Sequence, residues 1–312
     1  MVYIFNGVIV KGYKWNTRYY TSYIIMTNTV SIKPMGGLGN QLFQLFTTIS
    51  YGLENTCDIK FPYTDQLHTG TIRNTYWNTF LIGLRNMTTY NPLYNESNKL
   101  LMSMPVYNER MFEYKKIPKP KGPQMLLHGF FQSYKYFDKH WNAIKTMIQL
   151  EEQQNIIKTE YADLFSERET VSMHFRFGDY INIQDCHPIM PFNYYYNAIC
   201  NLVMQKDKNY RVLYFCQDAD NVKVSLIIDR LSGMFRNIEF VKVDDSICDW
   251  KQMLIMSICS HNIIANSTYS WWGAYFNSND KKIVYYPNKW FGKSLTHNTT
   301  DLFPKEWVNV YW

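Results

Sequence analysis

His174, Arg176 and Asp179 stand at the end of an apolar run, Thr170–Met173, in the order His-Phe-Arg-Phe-Gly-Asp. An apolar run closed by a turn signal reads as a buried strand. Ionic groups at the mouth of such a strand are costly unless they bind something. In open α/β folds, ligands sit at the carboxyl ends of the strands. A guanidinium placed there suits a diphosphate, which it grips through charge-assisted, bidentate bonds. If the strand persists through these residues, alternation puts His174 and Arg176 on one face and Phe175 and Phe177 on the other. The competing reading is a local ion pair between Arg176 and Asp179.

Three further stretches carry polar groups into strand–helix junctions. Gly36-Gly37-Leu38-Gly39-Asn40-Gln41 joins a strand to a helix, where backbone approaches phosphate or sugar closely. Asn40 is placed as the helix N-cap. The spacing is not that of a dinucleotide fingerprint, which disfavours an NAD-dependent enzyme. Asn266, Ser267 and Thr268 sit where a second strand enters a helix, so hydroxyls and free N–H groups can cradle phosphate there; the alternative is a plain Ser/Thr cap. Asp218-Ala219-Asp220 reads as D-x-D and offers two carboxylates to a divalent cation on a nucleotide-sugar. Equally, Asp220 caps the following helix and Asp218 accepts from a base edge such as guanine. Met253, Leu254, Met256, Ile258 and Cys259 fall at helical spacing and read as core.

These groups must be positioned by alternating strands and helices. A strand at 29–33 precedes a helix at 41–53 and a strand at 58–61. Residues 62–124 are irregular; a strand at 124–128 and helical stretches from 137 to 165 follow. Beyond 170 the alternation becomes regular, with strands at 170–173, 211–215, 238–243, 262–265 and 282–286. The intervening helices are at 192–205, 221–231, 248–260 and 268–276. Such alternation implies parallel sheets with right-handed crossovers. Two α/β units are expected, 26–165 and 166–312. Residues 1–25 form an accessory extension in which Asn6-Gly7 turns a hairpin.

The chain has 312 residues, 46% hydrophobic and 19% charged, enough for a sizeable core. The net charge of +6 is not clustered, which fits an anionic small substrate and no nucleic-acid footprint. The 26 Tyr, 19 Phe and 9 Trp residues are read mainly as core and surface packing. Six cysteines show no zinc spacing. Cys200, Cys216 and Cys259 read as reduced core residues of a cytoplasmic protein. The sequons at Asn86, Asn95, Asn266 and Asn298 do not argue for secretion. No segment reaches the about 18 apolar residues of a membrane span, and the N-terminus makes a poor signal peptide.

Taken together, the motifs resemble the α-1,2-fucosyltransferases of glycosyltransferase family 11. GGLGNQLFQ is similar to that family's opening signature, and HFRFGDY to its H-x-R-R-G-D-Y segment. Asp249–Ala274 is similar to its third motif almost throughout, and Gly129–Ser133, Tyr136, Phe137, Pro287 and Trp290 also fit. The likeness covers about residues 30–290. It departs at Phe177, where the pattern has a second arginine, and at Gln217–Asp220. The resemblance implies a GT-B-like fold, two Rossmann-type domains facing across a cleft. The acceptor side would be 26–165, and 166–312 would bind donor. It implies GDP-fucose as donor, inversion, no metal and no cofactor, and an α-1,2 linkage to a galactose-terminated glycan. By position, Arg176 would bind the β-phosphate, and His174 and Asp218 would lie near guanosine. Asn266, Ser267 and Thr268 would line the diphosphate; Gly37 and Asn40 would lie near the donor–acceptor junction. Arg176 and Asp179 are the catalytic candidates, with Asp179, Asp185 and His187 the nearest bases for the acceptor hydroxyl. The rivals are a metal-dependent transferase using Asp218 and Asp220, and a non-catalytic nucleotide-sugar or glycan-binding protein.

Overall fold

The computed structural model describes residues 2–5, 8–11, 25–26, 28–68, 70–91, 94–165, 168–205 and 209–312. The chain divides into two compact units, Met1–Gly36 with Gln41–Ile144, and Gly37–Asn40 with Lys145–Trp312.

In the first unit, β1 (Val2–Phe5), β2 (Val8–Lys11) and β3 (Ile25–Met26) form an antiparallel sheet, with Phe5 opposite Val8. The expected turn residues, Asn6 and Gly7, lie outside the described residues. The main sheet contains β4 (Thr29–Ile32), β5 (Asp58–Ile59), β8 (Val106–Asn108) and β9 (Gln124–His128), in the order β5-β4-β9-β8. All its pairings are parallel. A two-stranded ribbon, β6 (Gln66–Leu67) with β7 (Arg73–Asn74), lies apart from it. The main helix, α1 (Leu38–Asn55), buries Leu42, Phe43, Leu45, Phe46 and Ile49, as its periodicity predicts. It also buries Gln41, Gln44, Thr47 and Thr48, so it is enclosed all round. The two glutamines hold the preceding turn. Gln44 accepts from the Met35 N–H at 2.8 Å and donates to the Met35 carbonyl at 2.8 Å. Gln41 donates to the carbonyls of Gly36 at 3.0 Å and Asn74 at 2.9 Å. Residues 62–124 are more ordered than their composition suggests: besides the ribbon they hold α2 (Tyr94–Met102) and strand β8.

The helical stretch expected from 137 to 165 breaks into α3 (Trp141–Met147) and α4 (Leu150–Glu160), parted where Gln149 takes a left-handed φ of 54°. The unit boundary falls at Ile144, some twenty residues before the expected one, because α4 packs on a helix of the second unit. Gln154 donates to Ser257 Oγ at 2.8 Å and to the Phe276 carbonyl at 3.1 Å, and Lys251 pairs with Glu160 at 2.6 Å.

The second unit is one parallel sheet, ordered β12-β11-β10-β13-β14-β15. Its elements are β10 (Glu169–His174), α5 (Phe192–Gln205), β11 (Tyr210–Phe215), α6 (Asn221–Met234) and β12 (Glu239–Lys242). They continue through α7 (Asp249–Ile258), β13 (His261–Ile263), α8 (Thr268–Tyr275), β14 (Val284–Pro287) and β15 (Val308–Val310). The last strand has no sequence counterpart above; three residues, Val-Asn-Val, are too short for a periodicity. The strand order reverses between β10 and β13, and at such a switch point the loops part and leave a crevice. Val171, Met173, Phe175, Tyr194, Tyr195 and Val212 belong to one core cluster. Met253, Leu254, Met256 and Cys259 are buried as expected, with Ile258 half-buried. Buried Asn262 ties β13 to its neighbours, donating to Ser172 Oγ at 2.7 Å and accepting from Asn277 at 2.9 Å. Among the described residues, no helix is long and apolar enough to cross a membrane.

Candidate functional site

The carboxyl ends of β10 and β13 bring together most of the residues singled out from sequence. Strand β10 stops at His174, and the chain turns through Phe177 into a short 3-10 turn at Gly178–Asn182. Phe175 and Phe177 are both buried in the core, with ring centroids 6.3 Å apart. The residue that departs from the family pattern is therefore a packing residue, and it leaves Arg176 on the open side. Gly178 has φ of 37°, and a Cβ there would fall 2.1 Å from Gln217 Oε1. Glycine is required at this turn on both counts.

Arg176 is mostly covered, with 20% of its side chain exposed. Its Nη2 donates to Asp179 Oδ1 at 2.6 Å, so the local ion pair exists. The guanidinium also lies 5.1 Å from the centre of the Tyr180 ring. Tyr180 in turn donates to the Asn266 carbonyl at 3.2 Å, just ahead of α8. The guanidinium and the N-terminus of α8 are thus linked through one tyrosine across the switch point. On its other side, Tyr180 stacks against His187 at 4.8 Å and 23°. Burial lowers the pKa of His187, opposed by Asp179 and reinforced by Arg176. Asp185, by contrast, is exposed and pairs with Lys293 at 3.3 Å.

The D-x-D pair does not act as a pair. Asp220 is buried and accepts from the Gly178 N–H at 3.0 Å through Oδ2. It occupies the N-cap position of α6, yet its side chain makes no capping bond. Asp218 is exposed and accepts from Asn221 at 3.1 Å. One carboxylate supports the Arg176 loop from below while the other faces solvent. No group of three or more His, Cys, Asp or Glu residues among those described is arranged to hold a metal ion.

The glycine loop meets α8 directly. Helix α1 begins at Leu38, so Asn40 lies inside the first turn and not at the N-cap. The Asn40 amide instead accepts from Thr268 Oγ1 at 2.9 Å. Trp272 donates to the Gly39 carbonyl at 2.8 Å. A Cβ on Gly39 would sit 2.5 Å from the Thr268 carbonyl carbon and 2.6 Å from Tyr269 N. The backbone that this glycine admits is that of α8, not a phosphate. Gly37 has nothing within 4 Å of its Cβ position and faces open space.

At the entrance to α8, the side chains carry structure. Ser267 caps the helix, accepting from Tyr269 N at 3.4 Å. Asn266 is buried and donates to the carbonyls of Pro188 at 2.9 Å and Trp290 at 3.1 Å, fastening two neighbouring loops. What remains for a ligand is the first-turn N–H groups of the helix other than that of Tyr269. Two buried polar atoms at this edge also lack any protein partner, His174 Nδ1 and Asn266 Oδ1. Such orphans are rare in native proteins and call for an explanation. Burial, aided by Arg176, drives the His174 pKa down to about 3, so its imidazole is neutral. Tyr180 is absent from the sequence candidates, although it closes the HFRFGDY segment, and that place in the motif is the signal that could have found it.

Residues 13–311 match the model described as glycosyl transferase family 11. The chain is 31% identical over 194 residues to the O-antigen biosynthesis glycosyltransferase WbnK of Escherichia coli. That alignment covers 59% of this chain and 60% of the relative. It is 26% identical to an Escherichia coli alpha-1,2-colitosyltransferase, over 88% of this chain and 96% of the relative. Among solved structures, Arabidopsis thaliana FUT1 in complex with GDP is 10% identical, with a TM-score of 0.46 over 83% of this chain and 70% of that one.

Proposed function

The chain belongs to glycosyl transferase family 11, and from that premise we propose that it transfers L-fucose from GDP-fucose to a glycan hydroxyl. The acceptor bond formed is α-1,2 to a terminal galactose, with inversion and without metal. One observation carries this reading. A guanidinium, the N-terminus of α8 and two orphaned buried polar atoms converge on the switch point of the parallel sheet. A diphosphate suits the donors among them: Arg176 and the helix N–H groups take its oxygens.

The chemistry follows from leaving-group charge. As the glycosidic bond breaks, negative charge grows on the GDP β-phosphate, and preorganised donors stabilise it there. Arg176 is held in place by Asp179 and by the ring of Tyr180 before the donor arrives. Asp179 thus orients the arginine. The proton acceptor that this edge offers is His187, which is neutral at pH 7 because its pKa lies below the ordinary value. Activity then falls as pH drops through that lowered pKa, and a His187→Asn variant loses that acid limb.

A second reading is favoured by the α-1,2-colitosyltransferase relative: the same α-1,2 transfer with colitose as the donor sugar. Incubating the protein with GDP-fucose and a panel of galactosides, with and without EDTA, tests the proposal. It predicts an α-1,2-fucosylated product at undiminished rate in EDTA. A donor left intact under all acceptors contradicts it, and loss of activity in EDTA contradicts the metal-free step.

A further inference from the structure

In the first unit the sheet order β5-β4-β9-β8 reverses beside β9, and the chain leaves β9 through His128-Gly129-Phe130-Phe131. This turn is held with unusual force. Both carboxylate oxygens of Glu109 accept backbone N–H groups from it, Oε2 from Phe130 at 2.7 Å and Oε1 from Phe131 at 3.0 Å. Glu109 N donates to the His128 carbonyl at 2.8 Å, so strand β8 and the turn are clamped together. Phe131 adopts a left-handed φ of 51° while fully buried, edge-on to Tyr136 at 5.4 Å and 89°. A bulky residue there is a costly outlier that persists only where its surroundings enforce it. Any side chain at 129 would meet Glu109 Cβ at 2.3 Å. The product of this arrangement is Phe130, 41% exposed. Beside it, at the ends of the paired strands, His128 Nδ1 and Asn108 Oδ1 are 2.9 Å apart. The amide oxygen can only accept, so Nδ1 carries the proton of this bond.

A rigidly displayed ring beside a hydrogen-bonded His–Asn pair matches a pyranose, which offers an apolar face and hydroxyls that both donate and accept. We infer that Phe130, with the His128–Asn108 pair, forms the platform for the acceptor's terminal hexose, and that Glu109 is the positioning residue that fixes it. This inference rests on the reading of the protein as a glycan-directed transferase.

The test uses the full chain with GDP-fucose and the galactoside that wild type turns over fastest. Phe130→Ala is expected to raise the acceptor KM about five- to tenfold, the size of a lost stacking contact. The donor KM and the slow hydrolysis of donor without acceptor stay unchanged, and Phe130→Tyr restores the acceptor KM. Glu109→Gln, which keeps one acceptor oxygen, raises the acceptor KM by less than Phe130→Ala. Saturation transfer to methyl β-galactoside is present for wild type and absent for Phe130→Ala. An unchanged acceptor KM with retained saturation transfer in Phe130→Ala overturns the inference while leaving the transferase reading intact. A wild type that consumes no donor overturns the transferase reading first, before any variant is made.

Discussion

The two parallel sheets end their buried strands in opposite ways. In the second unit the carboxyl edge is ionic, with Arg176 against Asp179, a neutral buried His174 and exposed Asp218. In the first unit, beside β8 and β9, the carboxylate of Glu109 is consumed by backbone amides, and what the turn displays is an aromatic ring and a His–Asn pair. Each edge is held by a carboxylate that accepts from a loop N–H, buried Asp220 from Gly178 and half-buried Glu109 from Phe130 and Phe131. The carboxylates do the same structural work under loops of different chemistry. Under the proposed function, the charged edge would take the donor's phosphates and the aromatic edge the acceptor's sugar.

The contrast predicts separable damage. The largest effect belongs to Arg176→Ala, which should lower kcat by about 100-fold or more under saturating acceptor, as loss of one such electrostatic contact does. Near-native turnover would dissolve the distinction between the two edges. Next comes Gly39→Ala, whose new methyl must displace the backbone of α8. A loss of about 1–3 kcal/mol in denaturant unfolding is expected, whereas Gly37→Ala, with open space around it, should unfold like wild type. Equal stability of the two variants would contradict the close approach of Gly39 to α8.

Asp220→Ala strands the Gly178 N–H in a half-buried turn and should cost about 1–3 kcal/mol. Asp218→Ala should leave the melting temperature in place and raise the donor KM. Identical behaviour of the two would restore the D-x-D reading. The smallest effect at neutral pH comes from His174. Its folded pKa of about 3 lies below the ordinary 6.5, so the unfolded chain takes up a proton that the folded one refuses. Stability is therefore full above pH 6.5 and is lost as pH falls from there towards 3. A His174→Asn variant should show a shallower decline in melting temperature over that window.

Much of this was legible in the residues. Thr170–Met173 read as a buried strand and Met253–Cys259 as core, and Phe175 and Phe177 are buried as expected although the strand stops at His174 before alternation can sort them. Those signals are local, carried by period and composition. What escaped was decided by tertiary partners. Asn40 looks like a cap from its place before an apolar run, but α1 starts two residues earlier and the amide turns to Thr268. Asp220 looks like a metal ligand or a cap until a loop forty residues upstream claims it. Helix α4 carries no mark of which sheet it joins, so the unit boundary fell elsewhere. Strands β8 and β15, of three residues each, are too short to show a pattern and form because a neighbouring strand offers its edge.

The most direct measurement is calorimetric titration of GDP into wild type and Arg176→Ala, both in EDTA. Wild type should bind GDP under these conditions, and the variant should bind at least tenfold more weakly. Equal affinity in the two proteins would contradict the assignment of Arg176 and the α8 entrance as the diphosphate site.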